Sequence, residues 1–224
     1  MRQAADGGGD GCYGGAMAHL DVYSDIACPW CFIGKRRLEA AVQQLPAGER
    51  PTVRWHAFQL APQFPEGQSK PIVEELARKF GGEAAVRRAF TQVSAVGQEV
   101  GIAFALELGH AVNTRLAHRA VAWARSVGAE AVAVEALFTA YFVDGLDLSK
   151  TDVVAEILGA AGLDAVAATT ALQAGAGNDE VDADLYAASQ IGVTGVPFFV
   201  LDQRLTMSGA QPESTFLSFL REGA

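Results

Sequence analysis

The stretch Ser24–Ala41, SDIACPWCFIGKRRLEAA, places two cysteines where a strand pattern changes into a helix pattern. The residues before it, 19–25, alternate apolar and polar side chains as a half-buried strand does. From Pro29 onward apolar residues recur every three or four positions, which predicts a helix ending near Pro46. Because 52–60 alternates again, the N-terminal part is expected to form a right-handed βαβ unit with parallel strands.

The middle of the chain is rich in alanine and indicates a block of helices. The predicted helices cover 70–80, 83–99, 113–127, 130–143, 151–160, 164–174 and 178–191. Strand patterns return at 196–202 and 204–209, joined as a hairpin through Asp202 and Gln203, and Pro212 begins a last helix. The sequence therefore predicts an α/β protein of order βαβ–α–ββα that carries a large all-helical insertion.

This pattern divides the chain into a tail and two predicted domains. Residues 1–18 are expected to be a disordered tail, since they are rich in glycine and lack an apolar pattern. Residues 19–62 and 178–224 are predicted to form one α/β domain, and 63–177 the helical insertion domain.

Charge and hydropathy exclude some classes of partner. The formal net charge is −9 and the basic residues are scattered, so no surface for nucleic acid or an anionic membrane is expected. No apolar run approaches the roughly 20 residues that a membrane-spanning helix needs. The N-terminal residues lack the apolar core of a secretory signal, which predicts a cytoplasmic setting, where transient catalytic disulfides outnumber structural ones. The oligomeric state is left open between monomer and homodimer.

The cysteine pair permits three interpretations. A Cys-x-x-Cys pair at the first turn of a helix suits redox chemistry, because free N–H groups and the helix dipole stabilise a thiolate on Cys28. Cys31, one turn further on, would then resolve a mixed disulfide. A metal site is disfavoured because no second pair and no histidine spacing supplies four ligands. Inert packing is disfavoured by the position of the pair within the βαβ unit. Cys12 lies apart in the glycine-rich tail.

A second informative stretch is GVTGVPFF, residues 192–199. Pro197 is tolerated as the first residue of a strand, which is one interpretation. The other is that Val196–Pro197 is a cis peptide in a tight turn facing Cys28, with the Val196 backbone offered to a substrate. Thr194, in the same turn, and Val196 are predicted to bind substrate.

Four segments together resemble one protein family. They are YSDIACPWCFIGKRRLE, FQLAP at 58–62, NTRLAHR at 113–119 and GVTGVPFFVLDQRLTMSGAQ at 192–211. Over residues 19–221 the chain resembles the DsbA family of thioredoxin-fold oxidoreductases, in the FrnE-like branch related to 2-hydroxychromene-2-carboxylate isomerases and kappa-class glutathione transferases. The resemblance implies a thioredoxin domain interrupted by a helical domain, with the active site in the groove between them.

The resemblance also assigns residues. It implies that Cys28 and Cys31 are the redox cysteines, that Pro197 is the cis-proline, and that Pro29 and Trp30 form the dipeptide that tunes the reduction potential. The isomerase and transferase relatives usually have serine at the position of Cys28, where it activates a glutathione thiol.

Several further residues are predicted to lie near the groove, each with more than one possible role. Asn113 is expected to cap a helix, or to lie beside the ligand as in the relatives, and His118 to be a half-buried histidine or an acid–base group. Phe58 either lines the groove or packs in the core. Glu107, His110 and Arg115 are polar candidates that no spacing selects.

The leading functional hypothesis is a thiol–disulfide oxidoreductase or isomerase acting on disulfide-containing proteins or small thiols. Its redox group would be the Cys28–Cys31 disulfide, with no metal and no bound cofactor, although glutathione or another small thiol could take part. One alternative is a glutathione-dependent isomerase or transferase of small aromatic compounds. Another is a redox-regulated, chaperone-like binding protein.

Overall fold

The computed structural model describes residues 18–222, so the predicted tail lies outside the described residues except for Ala18. The elements in chain order are β1 (His19–Ser24), α1 (Pro29–Gln43), β2 (Thr52–Ala57), β3 (Ser69–Pro71), α2 (Ile72–Phe80), α3 (Glu83–Glu99), β4 (His110–Val112), α4 (Arg115–Ser126), α5 (Glu130–Phe142), α6 (Thr151–Ala160), α7 (Ala165–Gln173), α8 (Asn178–Gln190), β5 (Phe198–Leu201), β6 (Leu205–Ser208) and α9 (Glu213–Glu222). The mixed α/β order confirms the predicted fold class.

A four-stranded mixed sheet of order β2-β1-β5-β6 forms the centre of the molecule. Strand β1 runs parallel to β2 and antiparallel to β5, and β5 pairs with β6 as a hairpin. Asp202 and Gln203 have φ angles of 50° and 55°, as both central residues of a tight type I′ hairpin turn do. The predicted βαβ unit and hairpin are therefore confirmed.

Strand β1 sends its side chains alternately to two faces of the sheet. Leu20 and Val22 belong to the large apolar core that also contains Cys31, whereas Tyr23 belongs to a smaller cluster on the other face. Ser24 follows Leu20 and Val22 on the core side and is only 4% exposed. A hydroxyl group thus occupies a position that the strand alternation assigns to the core.

The interval predicted to be wholly helical also contains two strands. Strands β3 and β4 pair antiparallel as a small second sheet, so the prediction of an all-helical insertion was wrong in this respect. Each strand has only three residues, too few for an alternating pattern to emerge from the sequence. Among residues 18–222 no helix is both long enough and apolar enough to cross a bilayer.

Helix α1 packs against the helical part of the chain through aromatic side chains. The Phe32 ring stacks on Phe138 of α5 with a centroid separation of 5.1 Å, and Phe142 and Phe104 complete the cluster. Phe32 and Phe138 are fully buried. The helix that begins with the cysteine pair is therefore fixed from both sides, by the sheet and by α5.

The opposite face of the sheet carries a buried charged cluster. His56 on β2 lies between two carboxylates: its Nδ1 is 2.6 Å from Asp184 Oδ1 on α8, and its Nε2 is 2.7 Å from Asp21 Oδ1 on β1. Tyr23 stacks on the imidazole ring at 4.8 Å. Burial lowers the pKa of His56, but the two carboxylates outweigh burial and the net shift is upward. Burial raises the pKa of Asp21 and of Asp184, but the hydrogen bonds and charge of His56 lower both, and the net shift of each is downward.

We predict that His56→Gln destabilises the fold most at mildly acidic pH. Since the pKa of His56 is raised on folding, its contribution is full below the unfolded value of about 6.5 and is lost as the pH rises through the folded value. The contribution of the lowered carboxyl pKa values is present above about 4 and lost as the pH falls. Urea denaturation at pH 5.5 should show a loss of about 2–4 kcal/mol, because two carboxylates lose their shared partner. At pH 8.5 the loss should be smaller, and an equal loss at both pH values would contradict the predicted linkage.

Candidate active site

The two cysteines lie at the N-terminus of α1, where the chain turns out of β1. The turn is closed by a hydrogen bond from the Cys28 N–H to the Asp25 carbonyl at 3.0 Å. Cys28 precedes the first helical residue, Pro29, and its carbonyl accepts the Cys31 N–H at 3.0 Å. Both cysteines are free thiols, and both are buried. The pair therefore lies at the strand-to-helix junction, as the sequence predicted.

The two thiols have different surroundings. Cys31 is 1% exposed, and burial raises the pKa of its thiol well above the usual range, with the adjacent Cys28 acting in the same direction. The Ser24 hydroxyl and the Asp25 backbone lower the pKa of Cys31, but less strongly. Cys28 precedes the first residue of α1, and its sulfur faces the Val196 carbonyl oxygen at 3.6 Å. This asymmetry fits a nucleophile at Cys28 and a resolving thiol at Cys31.

The Val196–Pro197 turn lies directly against Cys28. The peptide bond is cis, as predicted, and the Cys28 sulfur is 3.6 Å from the Val196 carbonyl oxygen. Gly34 of α1 approaches the same proline so closely that a Cβ on it would lie 3.1 Å from Pro197 Cγ. Thr194, at the start of the turn, is exposed, whereas Pro197 is buried. The structure thus brings Val196 and Pro197 to the cysteines.

Asp25 is a buried carboxyl group beside the cysteine turn that the sequence reading did not select. It is 1% exposed, and its Oδ1 accepts the Ala27 N–H at 3.2 Å while its Oδ2 accepts the Leu60 N–H at 2.7 Å. His118 Nε2 lies 3.5 Å from Asp25 Oδ1. Two polar residues, Ser24 and Asp25, shortly before a Cys-x-x-Cys pair are a weak signal on their own. The structure shows that this carboxyl group links the cysteine turn to the loop after β2.

His118 and Phe58 both lie at this junction. His118 is 6% exposed, and its Nε2 is 3.0 Å from the Phe58 carbonyl oxygen. The Phe58 side chain packs with Val196 in the smaller apolar cluster. Strand β2 was predicted to reach residue 60, but it ends at Ala57. Its neighbour β1 ends at Ser24, and the chain after β2 turns away toward Asp25.

Asn113, in the helical insertion, forms hydrogen bonds that hold the loop after β2 in place. Its Oδ1 accepts hydrogen bonds from Gln59 Nε2 at 2.7 Å and from the Arg115 N–H at 2.9 Å. Its Nδ2 donates to the carbonyls of Pro62 and Phe64. Helix α4 begins at Arg115, two residues later than predicted, yet the side chain does bond to the first N–H of that helix. The Asn113 amide therefore has all of its hydrogen-bonding capacity occupied within the chain.

The remaining candidates lie in other contacts. Trp30 is 40% exposed at the start of α1 and is therefore available to a substrate. Glu107 pairs with Arg87, Arg115 pairs with Asp182, and the His110 carbonyl accepts the Tyr141 hydroxyl. None of the three candidates forms a hydrogen bond or ion pair with a cysteine in the part of the chain that the structure describes. Within residues 18–222, no group of three or more His, Cys, Asp or Glu side chains is arranged so that it could hold a metal ion.

Comparisons with known proteins agree with this geometry, which defines a thioredoxin-type fold with a Cys-x-x-Cys pair facing a cis-proline. A family model described as a DSBA-like thioredoxin domain matches residues 19–221. A probable DsbA oxidoreductase from Streptomyces coelicolor is 31% identical, with a TM-score of 0.86 and coverage of 92% of this chain and 89% of that one. The chain belongs to the DsbA-like thioredoxin-domain family.

Two more distant structures show the same fold. A 2-hydroxychromene-2-carboxylate isomerase is 19% identical with a TM-score of 0.66, covering 91% of this chain and 94% of its own. The cytosolic disulfide reductase DsbM from Pseudomonas aeruginosa, solved with glutathione, is 19% identical with a TM-score of 0.63, covering 91% and 98%. The predicted resemblance to the DsbA family is confirmed by the family model and the Streptomyces coelicolor structure.

We predict that Asn113→Asp loosens the loop between β2 and β3. The aspartate keeps the acceptor oxygen but loses both donors to Pro62 and Phe64, which should cost about 2–4 kcal/mol of unfolding free energy. Urea denaturation at pH 7 measures the loss. Asn178→Asp is the matched control, because Asn178 Oδ1 accepts from Arg115 and a carboxylate keeps that bond. Equal stability of the Asn113 variant and the control would contradict the anchoring role.

Proposed function

We propose that this protein is a thiol–disulfide oxidoreductase or isomerase in which Cys28 is the nucleophile and Cys31 the resolving thiol. One observation supports it above the others: Cys28 stands at the N-terminus of α1, 3.6 Å from the Val196 carbonyl, with Cys31 buried behind it. Unsatisfied N–H groups at a helix N-terminus stabilise a thiolate there. The substrates are disulfide-containing proteins or small disulfides.

The reaction consists of two exchanges. The Cys28 thiolate attacks one sulfur of the substrate disulfide, so that the substrate S–S bond breaks, a Cys28–substrate disulfide forms and the other sulfur leaves as a thiolate. Cys31 then loses its proton and attacks the Cys28 sulfur. This step forms the Cys28–Cys31 disulfide and releases the second substrate thiolate. The substrate gains two electrons and the protein loses two; the reverse sequence oxidises a dithiol.

A small thiol such as glutathione fits the same chemistry as the reductant of the Cys28–Cys31 disulfide. The solved structure of DsbM contains glutathione, which favours this partner class for a related fold. That reductase is described as cytosolic. A cytosolic setting for this protein would supply a glutathione pool and keep the cysteine pair reduced between turnovers.

We predict that Cys28→Ser abolishes disulfide exchange and that Cys31→Ser traps the mixed disulfide. Without the Cys28 sulfur no first attack occurs, whereas without Cys31 the Cys28–substrate disulfide has no internal thiol to release it. Insulin reduction and refolding of scrambled ribonuclease measure turnover, and non-reducing gels with mass spectrometry detect the trapped species. Cys12→Ser should be introduced in all proteins, including the wild-type reference, to remove the thiol outside residues 18–222.

The same variants separate the competing functions. Glutathione-dependent isomerisation of an aromatic substrate that survives Cys28→Ser would support an isomerase instead, since serine can activate an external thiol. Suppression of client aggregation that persists in the Cys28→Ser/Cys31→Ser protein would support a chaperone-like role. Normal insulin reduction by Cys28→Ser would contradict the proposed mechanism.

We predict that Trp30→Ala weakens catalysis on protein disulfides more than on small ones. The exposed Trp30 side chain offers apolar surface next to Cys28, and its loss should lower kcat/KM for insulin by about tenfold. For a small symmetrical disulfide, which covers less of that surface, the change should stay near twofold. Tyr186→Ala removes another exposed aromatic side chain, from helix α8, and serves as the control. Equal losses on both substrates would argue against a protein-binding role of Trp30.

A further inference from the structure

Ser24 carries a buried hydroxyl with no hydrogen-bond partner among the described residues. Its side-chain oxygen is inaccessible to solvent, and the residue is 4% exposed. A buried hydroxyl without a partner costs about 1–3 kcal/mol, so a strand position of this kind calls for a physical reason. Leu20 and Val22, which precede it on the same face of β1, are fully buried apolar residues. An apolar side chain at position 24 would pack in the same core without leaving a hydroxyl unpartnered.

The Ser24 backbone is held firmly, which fixes where its side chain points. Ser24 pairs with Ala57 at the end of the parallel β1–β2 ladder, and its carbonyl accepts the Phe58 N–H at 3.0 Å. The side chain therefore points to the core side of the sheet, toward helix α1. Cys31 belongs to the same apolar core as Leu20 and Val22 on this face, and the Ser24 hydroxyl lowers the pKa of its thiol.

We propose that the Ser24 hydroxyl is a catalytic donor that stabilises the negative charge on the Cys31 sulfur during disulfide exchange. The proposal rests on the thiol–disulfide function above. In the resolving step Cys31 gives its proton to water or a buffer base, and its sulfur then attacks Cys28, which breaks the Cys28–substrate bond and releases the substrate thiolate. The charge is carried by a sulfur that is 1% exposed, where water cannot solvate it well.

A hydroxyl donor suits this position better than a charged group. It can rotate toward the sulfur when the thiolate forms and need not hold that geometry beside the neutral thiol, which is a weak acceptor. A hydrogen bond to a charged group is about twice as strong as one between neutral groups, so the stabilisation is greatest for the thiolate. Ser24 thereby offsets part of the burial that raises the pKa of Cys31.

The test separates the two cysteines by their order of reaction. In a Cys12→Ser background, reduced protein is mixed in a stopped-flow instrument with a stoichiometric amount of Ellman's reagent. Cys28 first attacks the reagent and releases one coloured thiolate; Cys31 then attacks the Cys28 mixed disulfide and releases the second. The two phases report the nucleophile and the resolving thiol separately, and Cys31→Ser should remove the second phase.

Ser24→Ala should slow the second phase by about tenfold and leave the first phase within twofold. Ser149→Ala is the matched control, since Ser149 also carries a buried hydroxyl with no partner among residues 18–222, and both of its phases should equal the reference. If Ser24→Ala does not fold, Ser24→Thr and Ser24→Val replace it, because they share one shape and differ by the hydroxyl; Val should be the slower. An unchanged second phase in Ser24→Ala, or equal rates for Thr and Val, would overturn the proposal.

The failure of this inference differs from the failure of the proposed function. If the reference protein releases no second coloured thiolate, Cys31 does not resolve mixed disulfides and the proposed function fails. If the reference protein shows both phases and Ser24→Ala matches it, only the role of Ser24 fails.

Discussion

The buried carboxyl group of Asp25 holds together the three segments that form the candidate site. It accepts the N–H of Ala27 in the cysteine turn and the N–H of Leu60 in the loop after β2, and it lies 3.5 Å from His118 on α4. Backbone N–H groups buried at a turn need acceptors, and one carboxyl group serves both of these. The position of Cys28 against the Val196 carbonyl therefore depends on the hydrogen bonds of this carboxyl group.

The helical insertion takes part in the site by packing as well as by hydrogen bonding. Phe32, the residue after Cys31, stacks on Phe138 and Phe142 of α5, so the first turn of α1 is buried between the sheet and the insertion. This packing explains why Cys31 has almost no contact with water while Trp30, on the other side of the same turn, stays exposed. The difference in exposure between Cys31 and Trp30 is thus a result of tertiary packing around a short motif.

The sequence predicted those features whose signals are local. Periodicity identified the βαβ unit, the hairpin at Asp202 and Gln203, and the position of Cys28 and Cys31 at a helix start. The contacts of Asp25 with Leu60 and His118 join residues far apart in the chain, and no spacing reports them. Gly34 was a missed local signal, because a glycine inside a helix often marks a close approach, here to Pro197. Ser24 was missed because one serine at the end of a strand resembles the start of a turn.

The hydrogen bonds around the groove also bear on how a substrate is recognised. Both donors and both acceptor positions of the Asn113 amide are engaged by the chain itself, and His118 Nε2 faces the Phe58 carbonyl and Asp25. A substrate that bound through these side chains would have to break bonds that fix the loop, and would lose about as much as it gained. They are accordingly better suited to preorganising the groove than to contacting its ligand. Affinity then has to come from apolar surface such as Trp30 and from the exposed turn at Thr194, which favours a site that selects substrates by their disulfide rather than by their side chains.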